Sequence, residues 1–139
     1  MFLQDNIINM TTDKIQNIVD YAYPKIQSYF GIPDIYKPIP KIELHKDIYA
    51  RLSGDEEASG EHSSTSVAEY DEDENKIFIY YPNVNSEEDI LKALIHEYTH
   101  YTQDSNLIKH FRSIYSYDQN PNEIEASSNE NKWQLFTKK

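Results

Sequence analysis

The 139-residue chain contains no cysteine, which excludes disulfides, thiolate metal ligands and a cysteine nucleophile. Positive charge is also scarce, with 13 Lys and Arg against 24 Asp and Glu and a net charge of −11. A nucleic-acid binder needs a basic footprint to neutralise phosphates, so no nucleic acid is expected as a partner. The same charge argues against docking on an anionic membrane surface. No apolar run reaches transmembrane length. The N-terminus, Met1-Phe2-Leu3-Gln4-Asp5-Asn6, lacks a basic region and a long apolar stretch. No signal peptide is expected, and the expected location is cytoplasmic or virion-associated. Methionine is limited to two residues against twelve tyrosines, so the core must draw heavily on aromatic rings with polar tips.

What is present amounts to one domain, residues 1–139, with a single modest core. Ile15, Ile18, Val19, Ala22, Ile26, Tyr29 and Phe30 recur at helical spacing between about Thr12 and Phe30. Pro24 should kink or split that helix. Gly31 and the prolines at 33, 38 and 40 end it in a stiff connector. Lys41 to Lys46 alternates as a strand, with Tyr49 to Leu52 extending or pairing with it. Residues 53–66 read as an exposed polar loop. Val67 to Tyr70 and Lys76 to Tyr81 flank the turn residues Asp71-Glu72-Asp73-Glu74-Asn75, which is the pattern of a β-hairpin.

Ser86-Glu87-Glu88-Asp89 then has the form of a capping box, starting a helix that should reach about Asp104. An irregular Tyr-rich stretch follows. Asn120-Pro121-Asn122-Glu123 opens a last helix with proline at its first position, ending near Phe136. The order helix, strands, helix, helix gives an α+β fold, with a small, mostly antiparallel sheet.

The chemistry lies in His96-Glu97-Tyr98-Thr99-His100. Histidines four apart on a helix project from one face one turn apart, a spacing that can hold zinc. Glu97 flanks the pair, so its carboxylate can reach a metal-bound water without being a ligand. Leu91, Leu94, Ile95 and Tyr98 fall on the opposite face. A chance H-E-x-x-H in this composition is roughly a one-in-sixty event, which favours the metal over two solvated histidines. A catalytic site wants a third protein ligand. A metzincin extension is excluded, because Gln103 and Asn106 stand where glycine and histidine belong. That leaves carboxylates on the later helix: Glu123, Glu125 or Glu130. Glu123 also has a plain structural reading, as the residue that completes a capping box with Asn120.

The segments Leu91 to Gln103 and Asn120 to Ala126 together resemble small gluzincin-type zinc metallopeptidases. The closest likeness is to the compact single-domain group of phage and ImmA/IrrE-like proteins, and it covers about the last third of the chain. The resemblance implies a minimal zincin-like domain with a C-terminal ligand-bearing helix. It implies zinc held by His96, His100 and Glu123, with Glu125 as the fallback ligand. A supporting polar residue is implied at position 127, where serine replaces the usual Asn, Asp or Glu. It also implies a phenol or imidazole that stabilises the oxyanion, a role open to Tyr117 ahead of Tyr115. Lys76 to Tyr81 is implied as the strand that pairs with an extended peptide or protein substrate.

The expected function is therefore zinc-dependent peptide-bond hydrolysis with Glu97 as general base. The rival is a non-catalytic zinc-stapled module within a larger assembly such as a virion or a toxin-like complex. Peptide deformylase chemistry is excluded, since it requires a cysteine ligand. His45, His62 and His110 fit no ligand spacing and are read as surface histidines, His110 in a loop. The acidic stretches 55–61 and 69–74 lack calcium-loop spacing and are read as solvated surface.

Overall fold

The first helix, α1 (Thr12–Phe30), begins where the Thr11 hydroxyl accepts the Lys14 N–H at 3.1 Å. It buries Ile15, Val19, Ala22 and Ile26, a stripe at intervals of four, three and four residues. The computed structural model describes residues 10–33, 37–56 and 66–138. Pro24 does not split α1. The bond it deletes would have gone to the carbonyl of Asp20, and both residues are exposed, so water can take that carbonyl.

Beyond Gly31 the connector is held by tyrosines. Tyr98 donates its hydroxyl to the Gly31 carbonyl (2.8 Å), Tyr101 to that of Lys37 (2.9 Å) and Tyr23 to that of Pro40 (2.7 Å). The expectation of a core of rings with polar tips takes this specific form. The rings pack inside, and the hydroxyls satisfy the carbonyls of Gly31, Lys37 and Pro40, none of which lies in a helix or strand.

Three strands follow, β1 (Lys41–His45), β2 (Ala68–Asp71) and β3 (Lys76–Tyr80). They are ordered β1-β3-β2, with β1 parallel and β2 antiparallel to β3. The sheet is therefore mixed, and the expected mostly antiparallel sheet is corrected. The tight hairpin makes β2 the antiparallel neighbour, and β1 adds to the other edge of β3. The long passage from His45 to Lys76 lets it arrive parallel. That passage contains a second departure, because Tyr49 to Leu52 is not strand. It lies in a short helix, α2 (Ile48–Ser53), capped by Asp47 and ended by Gly54 at φ 76°. The left-handed Gly54 and the Asp47 cap are local signals that outweigh the β-leaning residues between them. The hairpin turn closes on Asp71, whose carboxylate accepts the N–H groups of Asp73 and Glu74.

The remaining helices are α3 (Glu87–Thr102), α4 (Ser105–Ile114) and α5 (Pro121–Asn129), and α5 runs on into a 3₁₀ segment, Glu130–Phe136. The α+β class expected from the sequence is what the chain adopts. The irregular stretch after α3 is corrected to α4. Asp104 accepts the N–H groups of Asn106 and Leu107, and Leu107, Ile108, Phe111 and Ile114 have helical spacing. His110 is exposed as expected but sits on this helix. His62 and most of the expected polar loop lie outside the described residues.

The core forms between α1, the inner face of the sheet and α3, and includes Ile77, Ile79, Leu91, Leu94, Ile95 and Tyr98. No described helix is long and apolar enough to cross a membrane.

Candidate metal centre

The Ser86 hydroxyl accepts the Asp89 N–H at 3.1 Å, and the Asp89 carboxylate returns a bond from the Asn85 N–H at 3.0 Å. This fixes the start of α3 and with it the phase of the helix. That phase turns Leu91, Leu94, Ile95 and Tyr98 into the core. It sends His96, His100 and Glu97 the other way, where α5 and the 3₁₀ segment cover them. Each of the three is about 9% exposed.

The cap of α5 is made without Glu123. Asn120 caps the helix by accepting the Asn122 N–H, and its own N–H goes to the Tyr117 carbonyl. Glu123 therefore has no capping duty. Its Oε1 lies 3.0 Å from His96 Nε2 and 3.0 Å from His100 Nε2. These three side chains form a group that could hold a metal ion. Donors at ordinary zinc distances and tetrahedral angles stand roughly 3.4 Å apart, and the three donor atoms here lie within 4.8 Å of one another.

The outer nitrogens of both rings are also assigned. His96 Nδ1 is 2.7 Å from Glu130 Oε2 and donates to that carboxylate. His100 Nδ1 is 2.7 Å from Gln103 Oε1. The Gln103 amide nitrogen donates to the Asn122 carbonyl (3.0 Å) and to Glu125 Oε1 (2.8 Å). Its oxygen must therefore be the atom facing the histidine, and His100 carries its proton on Nδ1. Both Nε2 atoms are thus the ones offered to a metal.

Glu125, the fallback ligand, is corrected by the same geometry. It points at Gln103 and belongs to no metal group among the described residues. Ser127 is exposed, and the support expected of it comes from Glu130 and Gln103. Sequence reasoning counted Glu130 only as a possible ligand and used Gln103 only to exclude a metzincin. The available signals were the seven-residue spacing from Glu123 to Glu130, about two helical turns, and the i+3 position of Gln103 relative to His100.

Electrostatics separates the roles. Burial is the largest influence on Glu97 and raises its pKa above the usual carboxylate range. The charges of His96 and His100 and a hydrogen bond from the Tyr70 N–H oppose that rise. Burial works against the charged form of His96, but the carboxylates of Glu123 and Glu130 outweigh it and push the ring up to about 10. His100 is raised in the same sense, by Glu123 first. Glu123 is held well below the usual range by the two histidines, against the effect of its burial.

Tyr117, on a 3₁₀ turn ahead of α5, reaches the site. It hydrogen-bonds to Glu123, and burial with the nearby carboxylates pushes its hydroxyl up to about 12. Tyr115 instead packs on Phe111 with ring centroids 5.7 Å apart.

The cleft is walled on its other side by β2, through Ala68, Glu69 and Tyr70. The expectation for Lys76 to Tyr81 is corrected here. That strand, β3, is central in the sheet, paired on both sides by β1 and β2. The strand bordering the site is β2. His45 takes no part in the cleft and lies between Glu43 (3.0 Å) and Glu56 (2.6 Å).

Comparison with protein-family profiles, with curated proteins and with solved structures gives no significant match. The reading of the site therefore rests on its own residues.

Proposed function

We propose that this chain is a zinc-dependent peptidase of minimal zincin-like, gluzincin-type architecture. One observation carries the reading: a His-His-Glu donor set whose two outer nitrogens are already engaged, with a further buried carboxylate, Glu97, in the same cleft and outside the set. His96, His100 and Glu123 would hold the ion. Two histidines and a carboxylate also suit other transition metals. The non-ligand acid next to the first histidine is what favours zinc hydrolase chemistry. When bound, zinc supplies Lewis-acid activation of a water and of the scissile carbonyl.

The chain's own residues supply the rest. Glu97, with its proton affinity raised by burial, takes a proton from the attacking water and returns it to the leaving amine. The Tyr70 N–H holds that carboxylate in place from β2. Tyr117, protonated at neutral pH, is placed to donate to the developing oxyanion. An extended peptide adds to the outer edge of β2, where strand hydrogen bonding orients it independently of its side chains.

Glu97→Gln tests the assignment. It should retain metal at wild-type stoichiometry, measured by elemental analysis, while hydrolysis of a peptide library falls by at least about a thousandfold. Full turnover in that variant would sink the mechanism. Metal binding without turnover in the wild type would leave the stapled structural module as the better reading.

A further inference from the structure

The two ends of the cleft differ in construction. One end, beside Val67 and Ala68, is bordered by Asp89, Lys92, Ala93 and Glu130, with Lys92 turned to Glu88 on its own helix at 2.6 Å. The other end, beyond Tyr70, runs into α4. Ile108, 5% exposed, and Arg112 line it together with Glu72 from the hairpin turn. Two ion pairs join α4 to that turn: Arg112 Nη1 to Glu72 Oε1 at 3.4 Å and Lys109 Nζ to Asp73 Oδ1 at 3.8 Å. Among the described residues, α4 therefore walls the cleft at the C-terminal end of β2.

Strand polarity turns this wall into a statement about substrate. The Tyr70 N–H faces outward, to Glu97. Backbone groups alternate along a paired strand, so Ala68 also presents its N–H and C=O outward, into the cleft. A peptide pairing there in the stronger antiparallel sense has its N-terminal part directed toward Glu72 and Arg112. From Ala68 to Glu72 is about 13 Å of strand at ~3.3 Å per residue.

We propose that the peptidase acts from the N-terminal end of its substrate, releasing fragments of up to about three residues, because α4 leaves no path for a longer N-terminal extension. This rests on the metallopeptidase reading and adds the class of substrate. Ile108 is the fixed part of the wall. The Lys109–Asp73 pair is exposed, and in the other pair Arg112 is exposed while Glu72 is largely covered, so the first is the weaker and more salt-sensitive.

The test uses twelve-residue peptides of one sequence, carrying a spin label at either the N-terminus or the C-terminus, with mass-spectrometric mapping of products. In the wild type, cleavage should fall within the first three bonds. Lys109→Ala/Arg112→Ala should raise internal cleavage at least about tenfold relative to terminal cleavage. Bound to Glu97→Gln, the N-terminal label should broaden the Ile108 amide resonance and the C-terminal label should not.

Internal cleavage at wild-type rates irrespective of distance from the N-terminus would overturn the inference, as would broadening of Ile108 by the C-terminal label. If no peptide is cut by any variant but the N-terminal label still broadens Ile108, the catalytic reading fails and the one-ended cleft stands.

Discussion

At the scale of single residues, the site depends on groups that do not touch the metal position. Gln103 is held by three partners, and its amide has one orientation that satisfies all of them. Glu130 does the corresponding work for His96 through a single short bond. Removing such a support leaves the ligand present but frees its ring and its tautomer. Gln103→Leu and Glu130→Leu should each weaken zinc binding by about 10- to 100-fold, measured by competition with a chromophoric chelator. Ser127→Ala should leave it unchanged, since Ser127 is exposed and away from the donors. A Glu125→Gln change should fall between, because Gln retains a group that can accept from Gln103 while losing the charge.

At the scale of elements, α3 is the hub. Apart from Lys92, its residues from Ile90 to Tyr101 are buried, so both its apolar and its polar face are covered. Its apolar face meets α1 and the sheet, and its polar face meets α5 and the 3₁₀ segment. Thr99 shows the join: its hydroxyl donates to the Ile95 carbonyl at 2.7 Å and accepts from Asn129 Nδ2 at 3.1 Å. The tyrosines of α3 also tether the connector after α1. Tyr98→Phe keeps the ring and deletes the bond to the Gly31 carbonyl. Stability should drop by about 1–2 kcal/mol, read from the urea midpoint with an unchanged denaturant slope.

At the scale of the whole molecule, metal and fold should be coupled. His96, His100 and Glu123 come from two helices, so an ion bridging them ties α3 to α5 and stabilises only the folded chain. Protons compete with the metal for the imidazoles. With His96 raised to about 10, a metal ion bound there would displace a proton throughout the neutral range, so apparent affinity should rise with pH. The metal-free protein behaves in the opposite sense. A histidine whose folded pKa is raised adds stability below its unfolded value, near 6.5, and that stability is lost as pH rises toward the folded value. Both effects widen the gap between metal-bound and metal-free protein as pH increases. The fall in Tm on chelation should be larger at pH 8 than at pH 6, measured by calorimetry at fixed free zinc. An equal fall at both would show that the histidines do not exchange protons for metal.

Local signals in the sequence specify α1, α3 and α5, the hairpin, the α+β class and the His-Glu-Tyr-Thr-His motif. Caps, helical spacing and turn residues act over a few positions, so they can be read before any folding is known. The helices α2 and α4 also carry local signals, the Asp47 and Asp104 caps and Gly54, but β-leaning residues at 49–52 and the tyrosine-rich stretch after Asp104 mask them. Tertiary structure decided the remainder. It set Glu123 against both histidines, Glu125 against Gln103 and Glu130 against His96, because the angle at which α5 crosses α3 is set by packing. It made β3 central and β2 the border of the cleft, because pairing partners come from distant parts of the chain. It placed α4 across one end of that cleft through contacts between residues some forty positions apart, a separation at which sequence pattern carries no register.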